Sequence, residues 1–99
     1  MIIEGKEFKV IPVSDEDLGL SNMNEMKKKT EEELNSGNVC LALDLSGLTT
    51  INSSGLGVLI GILNRVKAKN GSLKMLNADD RIMKIFTITK LDLIFDFKA

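Results

Sequence analysis

The amino-acid sequence predicts a single α/β domain, a mainly parallel or mixed sheet of about four to five strands with about three helices packed against it. The chain has 99 residues, too few to divide into two halves that each hold a core. Short apolar runs typical of strands alternate with longer segments whose apolar residues recur at helical spacing. Such alternation favours right-handed crossovers between strands, so we predict one domain over residues 1–99.

The first thirteen residues predict strand, with a hairpin near one edge of the sheet. Gly5 can form the turn, and Pro12 favours an edge position because it cannot donate a ladder hydrogen bond. Side chains are expected to alternate between two faces: Phe8, Val10 and Pro12 on one, Lys9 and Ile11 on the other. A polar, acidic loop is predicted over residues 14–19.

A first helix should follow this loop. Asn22 with Glu25 three residues later can form a capping box, and Ser21 is an alternative cap. Four residues recur as a narrow buried stripe: Met23, Met26, Thr30 and Leu34. The charged residues 27–33 are interpreted as a solvated face, with a docking role as the minor alternative. Residues 35–38 end the helix.

The central strand and the second helix have the clearest patterns. Residues 39–45 are nearly all apolar, as expected of a strand covered on both faces, and Cys40 within them is interpreted as a small buried hydrophobe. The helix begins near Ser53 and ends at Asn70-Gly71. Its apolar residues are Leu56, Val58, Leu59, Ile60, Ile62, Leu63 and Val66.

The last third of the chain predicts a strand, a helix and a strand. Residues 72–76 alternate as a strand, and Asn77 or Asp79 then caps a third helix. The inward-facing residues of that helix are expected to be Ile82, Ile85, Phe86 and Thr89. Residues 93–97 form the final short strand.

Composition excludes several classes of protein. Without histidine there is no Ser–His or Cys–His pair and no imidazole metal ligand, and the single cysteine fits a reducing cytoplasm. Thirteen basic and fourteen acidic residues give a net charge of −1 with no basic stripe, which argues against nucleic-acid binding. There is no signal-peptide layout, and residues 56–63, the longest apolar stretch, are too few for membrane insertion. We therefore expect a cytoplasmic protein that is short of the residues that most enzyme mechanisms and cofactor sites use.

The candidate functional residues are concentrated in residues 44–57, which are rich in hydroxyl groups and glycines and lead from the central strand into the second helix. Ligand sites of open α/β sheets lie at the carboxyl ends of strands, where this segment emerges. The simplest interpretation is that Asn52, Ser53 or Ser54 caps the helix. A phosphate-binding loop is weakly supported because GxxxxGK[ST] is absent, and a nucleophile elbow lacks both GxSxG and histidine.

A covalently attached phosphate is the remaining possibility. A helix N-terminus stabilises a phosphate dianion, and phosphorylation would add about −1.5 to −2 charges to a nearly neutral face. Gly55 and Gly57 would clear side chains away from the serine, or else serve tight packing of the helix on the strand.

Residues 44–59, Asp-Leu-Ser-Gly-Leu-Thr-Thr-Ile-Asn-Ser-Ser-Gly-Leu-Gly-Val-Leu, resemble the signature of STAS domains, specifically the bacterial anti-sigma-factor antagonists. Asp44 and Ser46 belong to the Asp-Leu-Ser-Gly half of that signature. The resemblance extends over nearly the whole chain and agrees with the predicted order of elements.

The resemblance implies a binding switch. In such antagonists the unphosphorylated form binds an anti-sigma factor and frees sigma. The anti-sigma factor, itself a serine kinase that carries ATP-Mg, phosphorylates the second serine of the motif, here Ser54 with Ser53 as the alternative, and a serine phosphatase reverses the step. The partner-binding residues implied are Asn52, Ser53, Ser54, Gly55, Leu56 and Gly57.

Two positions depart from the family pattern. Asn52 stands where the family usually has Asp, and the stretch 17–20, Asp-Leu-Gly-Leu, lacks the usual Gly-x-x-Asp. A C-terminal helix found in many relatives is also expected to be absent. An alternative is therefore a STAS module that is never phosphorylated, in a signalling assembly or beside a membrane transporter. Nucleotide or lipid binding at the same loop is a third possibility.

Overall fold

In the computed structural model, which describes residues 1–19 and 22–98, three helices cover one face of a four-stranded sheet. The strands are β1 (Ile2–Ile3), β2 (Lys6–Glu7), β3 (Lys9–Ser14), β4 (Cys40–Gly47), β5 (Ser72–Leu76) and β6 (Asp96–Lys98). The helices are α1 (Met23–Asn35), α2 (Ser53–Ala68) and α3 (Asp80–Ile88), and a short 3-10 turn spans Leu91–Leu93. The predicted α/β class is confirmed.

The four-stranded sheet is entirely parallel and has the order β3-β4-β5-β6. Parallel neighbours need crossover connections, and α1, α2 and α3 supply one between each successive pair of strands. Leu43 lies in register with Ile11 on one side and with Met75 on the other. The carboxyl ends of β3 and β4 therefore lie side by side, and so do the loops that follow them.

The N-terminal segment forms a separate hairpin before it enters the sheet. β1 and β2 pair antiparallel, and Gly5 at φ +81° makes the turn together with Glu4 at φ +52°. The exposed Pro12 lies on β3, an edge strand, as predicted.

The predicted alternation of side chains in β3 is confirmed for its buried residues. Ile11 and Val13 face the helices, whereas Phe8 packs on the opposite face with Ala42 and Leu76. Pro12 contributes to neither cluster. Because both faces of the sheet are covered here, apolar residues occur on both, and alternation alone did not reveal which set faced the main core.

The first helix has the predicted buried stripe but not the predicted cap. Met26, Thr30 and Leu34 are buried, and Met23 packs at the margin of the core. Asn22 occupies the N-cap position with helical φ and ψ, and its side-chain amide donates to the Glu16 carbonyl at 3.0 Å instead of capping. The capping box is therefore wrong, and the alternative cap Ser21 lies outside the described residues.

The central elements agree closely with the prediction. β4 buries Leu41, Ala42, Leu43 and Leu45, although Cys40 at its start is half-buried where full burial was predicted. α2 begins at Ser53 and β5 spans 72–76, both as predicted.

The C-terminal third differs in two places. Asp79 caps α3, accepting from the Ile82 N–H at 2.9 Å, but Thr89 is exposed and its hydroxyl donates to the Ile85 carbonyl at 2.8 Å. The final strand begins at Asp96, not at 93, because the preceding residues form the 3-10 turn. Leu93 is 79% exposed there. No helix within residues 1–19 and 22–98 has the length and apolar character needed to cross a membrane.

Candidate functional site

The segment singled out in the sequence forms an exposed loop and the first turn of α2. Residues 48–52 leave β4 and lead to the helix, beside the loop 15–19 that leaves β3. Leu48 is buried and Ile51 nearly so, and together they anchor the loop in the core. The exposed residues between and after these anchors are thereby held at the carboxyl edge of the sheet.

Asn52 is the N-cap of α2. Its backbone is extended, with φ −105° and ψ −179°, and its side-chain Oδ1 accepts from the Gly55 N–H at 2.8 Å. This confirms the capping interpretation for Asn52. The first turn of α2 carries no acidic residue, so the partial positive charge of the helix N-terminus is not offset locally.

Ser53 and Ser54 are both exposed on this first turn. Neither hydroxyl has a hydrogen-bond partner among residues 1–19 and 22–98. Leu56 is partly buried against the core, so the predicted partner-binding set is not uniformly accessible.

The two glycines of the motif have different environments. A Cβ added at Gly55 would lie 3.1 Å from Ile51 Cγ1 and 3.4 Å from Leu18 Cδ1, so this position favours glycine for close packing. A Cβ at Gly57 would meet nothing within 4 Å, and Gly57 is exposed. Close packing therefore explains why position 55 is a glycine. Gly57 instead leaves the helix surface without a side chain, one turn beyond the serine pair.

Asp44 binds Ser46 and Asn77, the residue that follows β5, and does not bind the serine pair. Asp44 Oδ1 accepts from the Ser46 N–H and from the Asn77 side-chain amide, each at 3.0 Å. The Asn77 amide, followed by the Ser46 N–H, holds the pKa of the Asp44 carboxyl below its ordinary value. The Asp-Leu-Ser-Gly half of the motif thus ties the ends of β4 and β5 together.

Sequence reasoning missed Asp15, which reaches from the β3–α1 loop to the β4–α2 loop. Its carboxylate accepts from the Thr49 hydroxyl at 2.5 Å, the Thr49 N–H at 2.9 Å and the Thr50 N–H at 3.4 Å. These bonds, the Thr49 hydroxyl first, hold the pKa of Asp15 below its ordinary value. The available signal was the predicted adjacency of two parallel strands, which places their following loops together.

The fold and the loop together match a known family. The family model described as "STAS domain" matches residues 5–99. The chain belongs to the STAS domain family.

Two bacterial proteins and one bacterial crystal structure are similar to this STAS domain. A Thermotoga neapolitana protein, named as a candidate anti-sigma factor antagonist, is 33% identical over 86 residues, covering 86% of this chain and 76% of that protein. The Bacillus subtilis anti-sigma-B factor antagonist is 39% identical over 59 residues, which is 60% of this chain and 54% of that protein. The crystal structure of a candidate anti-sigma factor antagonist from Thermotoga maritima superposes with a TM-score of 0.78 at 26% identity, covering 91% of this chain and 79% of that one.

Within residues 1–19 and 22–98, no basic group lies within hydrogen-bond distance of either serine at the start of α2. A serine nucleophile is activated by an adjacent base, and neither serine hydroxyl is hydrogen-bonded to one in the described part of the chain. Within that part, no three Asp, Glu or Cys side chains converge to hold a metal ion.

Proposed function

We propose that this STAS domain is an anti-sigma-factor antagonist, which binds an anti-sigma factor in its unphosphorylated form and so frees a sigma factor for transcription. The observation that carries the proposal is an exposed Ser53–Ser54 pair on the first turn of α2, in a chain that matches the family over residues 5–99. The names of the Thermotoga and Bacillus relatives support it. Because the partner acts on the transcription machinery, the cytoplasm is the expected location.

Phosphorylation of Ser54 is the proposed off-switch. The Ser54 Oγ attacks the γ-phosphorus of ATP bound to the anti-sigma factor, the bond from that phosphorus to ADP breaks, and the hydroxyl proton passes to a base of the kinase. ADP leaves, and a serine phosphatase later transfers the phosphoryl group to water. The STAS domain is substrate and ligand in both steps and catalyses neither.

The start of α2 is electrostatically suited to a phosphate. The capped helix end offers a partial positive charge, and the neutral Asn52 leaves the first turn without a carboxylate that would repel the dianion. Three residues after Ser54, Gly57 leaves a surface where a partner can approach closely. A bulky, hydrated dianion at Ser54 would obstruct a partner seated on that surface.

Phosphosite mapping tests the switch. The protein is incubated with the anti-sigma factors encoded in the same genome and ATP-Mg, and phosphate is located by mass spectrometry. We expect phosphate at Ser54, no incorporation in Ser54→Ala, and normal incorporation in the matched control Ser53→Ala. Phosphate at Ser53 alone, or none on the wild type, would contradict the assignment.

Binding affinity tests how phosphate releases the partner. Ser54→Asp places a charge in the interface, and an unpaired buried charge costs roughly 3 kcal/mol or more, over a hundredfold in Kd. Ser54→Asn has nearly the same shape without charge and is expected to bind more tightly than the Asp variant. Equal affinity of the two variants would rule out an electrostatic release. A wild-type chain that captures scaffold or transporter subunits and no anti-sigma factor would support the non-phosphorylated alternative.

A further inference from the structure

The Asp15 carboxylate is the acceptor for two backbone N–H groups that have no other partner in the described chain. The loop before α2 makes one backbone hydrogen bond of its own, from the Leu48 N–H to the Leu45 carbonyl at 3.0 Å. Neither the Thr49 nor the Thr50 N–H donates to a backbone carbonyl among residues 1–19 and 22–98. Asp15 accepts from both and from the Thr49 hydroxyl. Without this carboxylate, the Thr49 and Thr50 N–H groups would have only solvent as a hydrogen-bond partner.

The same β3–α1 loop also touches the chain beyond the serines. Leu18 is buried, and its Cδ1 would lie 3.4 Å from a Cβ built on Gly55. The loop 15–18 therefore contacts the functional segment on both sides of Ser53 and Ser54, at Thr49 before them and at Gly55 after them. Two such contacts restrict how the intervening residues can tilt.

Asp15 is not one of the two positions where this chain departs from the family pattern. Asp15 directs a carboxylate from the β3–α1 loop to the β4–α2 loop. Asp15 and Thr49 are 34 residues apart in the sequence. They meet because β3 and β4 are neighbours in the sheet.

We propose that Asp15 is a positioning residue for Ser54: by holding Thr49 and Thr50 it fixes the loop from which Ser54 is presented and thereby sets the rate of phosphoryl transfer to it. The inference rests on the proposed function. Transfer requires the serine oxygen about 3 to 3.5 Å from the phosphorus and in line with the leaving group, so a displacement of about 1 Å can cost on the order of a hundredfold in rate. Asp15 does not contact Ser54 and takes no part in the bond changes.

The test compares two neutral variants of the same loop. Asp15→Asn removes the carboxylate that holds Thr49. Asp17→Asn removes an equal charge from a residue that accepts instead from the Ser14 N–H at 2.8 Å and the Ser14 hydroxyl at 3.0 Å. Phosphorylation by the anti-sigma kinase is measured well below the unfolding temperature, and amide hydrogen exchange is followed on the free protein.

For Asp15→Asn we expect kcat/KM to fall roughly tenfold to a hundredfold, mainly through kcat, with faster exchange at the Thr49 and Thr50 amides. Asp17→Asn should match the wild type in both measurements. Thr49→Val, which lacks the hydroxyl, should show part of the defect, and Thr49→Ser should restore it. A purely structural role would lower the unfolding temperature of Asp15→Asn but leave kcat unchanged.

Three results overturn the inference, and they are distinguishable. An Asp15→Asn chain phosphorylated at the wild-type rate removes the positioning role, and so does an equal defect in Asp17→Asn, since charge alone would then explain both. If the wild type accepts no phosphate, the proposed function fails, and with it this role for Asp15. In that case, amide hydrogen exchange at Thr49 and Thr50, compared between Asp15→Asn and the wild type, still shows whether the Asp15 carboxylate holds the loop.

Discussion

The two faces of the sheet are stabilised in different ways. The face under the helices is a continuous apolar core, in which Leu43, Leu59, Ile62 and Phe86 have no solvent exposure. Thr30 is the one buried polar residue in the described chain, and its hydroxyl donates to the Met26 carbonyl. This face is therefore held mainly by burial of apolar area.

The opposite face has a small apolar cluster and a group of charges. Phe8, Ala42 and Leu76 are buried there, with Ile3 of the hairpin at their margin. Beside them Lys74 pairs with Asp96 and, at 3.1 Å, with Glu4.

The charged group links the hairpin to the sheet. Lys98 lies 2.9 Å from Glu4 and 3.4 Å from Asp96, so the network joins the turn of the hairpin to β5 and β6. Exposed ion pairs contribute little to stability, whereas buried apolar area contributes much. Packing of the helices therefore stabilises this fold, while exposed ion pairs and a small apolar cluster attach the hairpin more weakly.

The largest effect should come from the helix face. Phe86→Ala removes a fully buried ring that makes edge contacts with Phe95 and Phe97 at centroid distances of 5.5 and 5.0 Å. We expect a loss of about 3 to 5 kcal/mol in the free energy of unfolding, measured by denaturant titration. Lys84→Ala, on the exposed side of the same helix, is the control and should change little. A loss below about 1 kcal/mol for Phe86→Ala would show that the helix face is not the main source of stability.

The same substitution on the opposite face should cost less. Phe8 is 2% exposed, but its cluster is thin and the hairpin over it can settle into the space left by the ring. Phe8→Ala is expected to lose about 2 to 3 kcal/mol, because the cost of a cavity depends on how far its walls can collapse. Amide exchange should increase in β1 and β2 before it increases in β4. If Phe8→Ala were as costly as Phe86→Ala, the two faces would be equivalent.

The helix face was predictable because its signal is local. Apolar residues at helical spacing identified Met26 and Leu34 in α1 and most of the buried residues of α2. The opposite face depends on pairs far apart in the chain. Lys74 meets Glu4 across seventy positions, a pairing that no periodicity in the sequence specifies.

The candidate site likewise contains features with a local sequence signal and features that depend on residues far apart in the chain. Asn52 as the cap of α2 is a local property of residue type and position, and it was predicted. Asn22 has the same residue type at a helix start but binds the preceding loop, because its backbone is already helical. Asp15 was missed because its partners follow a different strand. Local rules find a helix end, and topology decides which loop supports it.

The smallest effect should come from the charges on the hairpin side, and it should depend on pH. The Lys98 ammonium, then that of Lys74, lowers the pKa of Glu4 from its ordinary 4.5, and Lys74 lowers the pKa of Asp96 from 3.8. Groups with lowered pKa values stabilise the fold above their unfolded values and lose that contribution as pH falls through the folded ones, here below about pH 4. Asp96, then Glu4, raises the pKa of Lys74 from 10.5, so its contribution is lost as pH rises beyond that value.

Lys74→Met tests this dependence because it keeps the stem of the side chain and removes the charge. We expect a small loss of stability in Lys74→Met near neutral pH, where the paired groups are charged, and unfolding midpoints that approach those of the wild type below about pH 4 and above about pH 10.5. The control is Lys84→Met, because Lys84 has no ion pair in the described chain. This variant should show the same change of unfolding midpoint with pH as the wild type, at low and at high pH. Added salt should reduce the difference between wild type and Lys74→Met, since exposed charges are screened. Phe86→Ala, by contrast, should lose nearly the same free energy at every pH, because the ring it removes is uncharged and packs against Phe95 and Phe97. If the unfolding midpoint of Lys74→Met changes with pH as that of the wild type does, the ion-pair network does not attach the hairpin, and the Phe8 cluster alone must hold it.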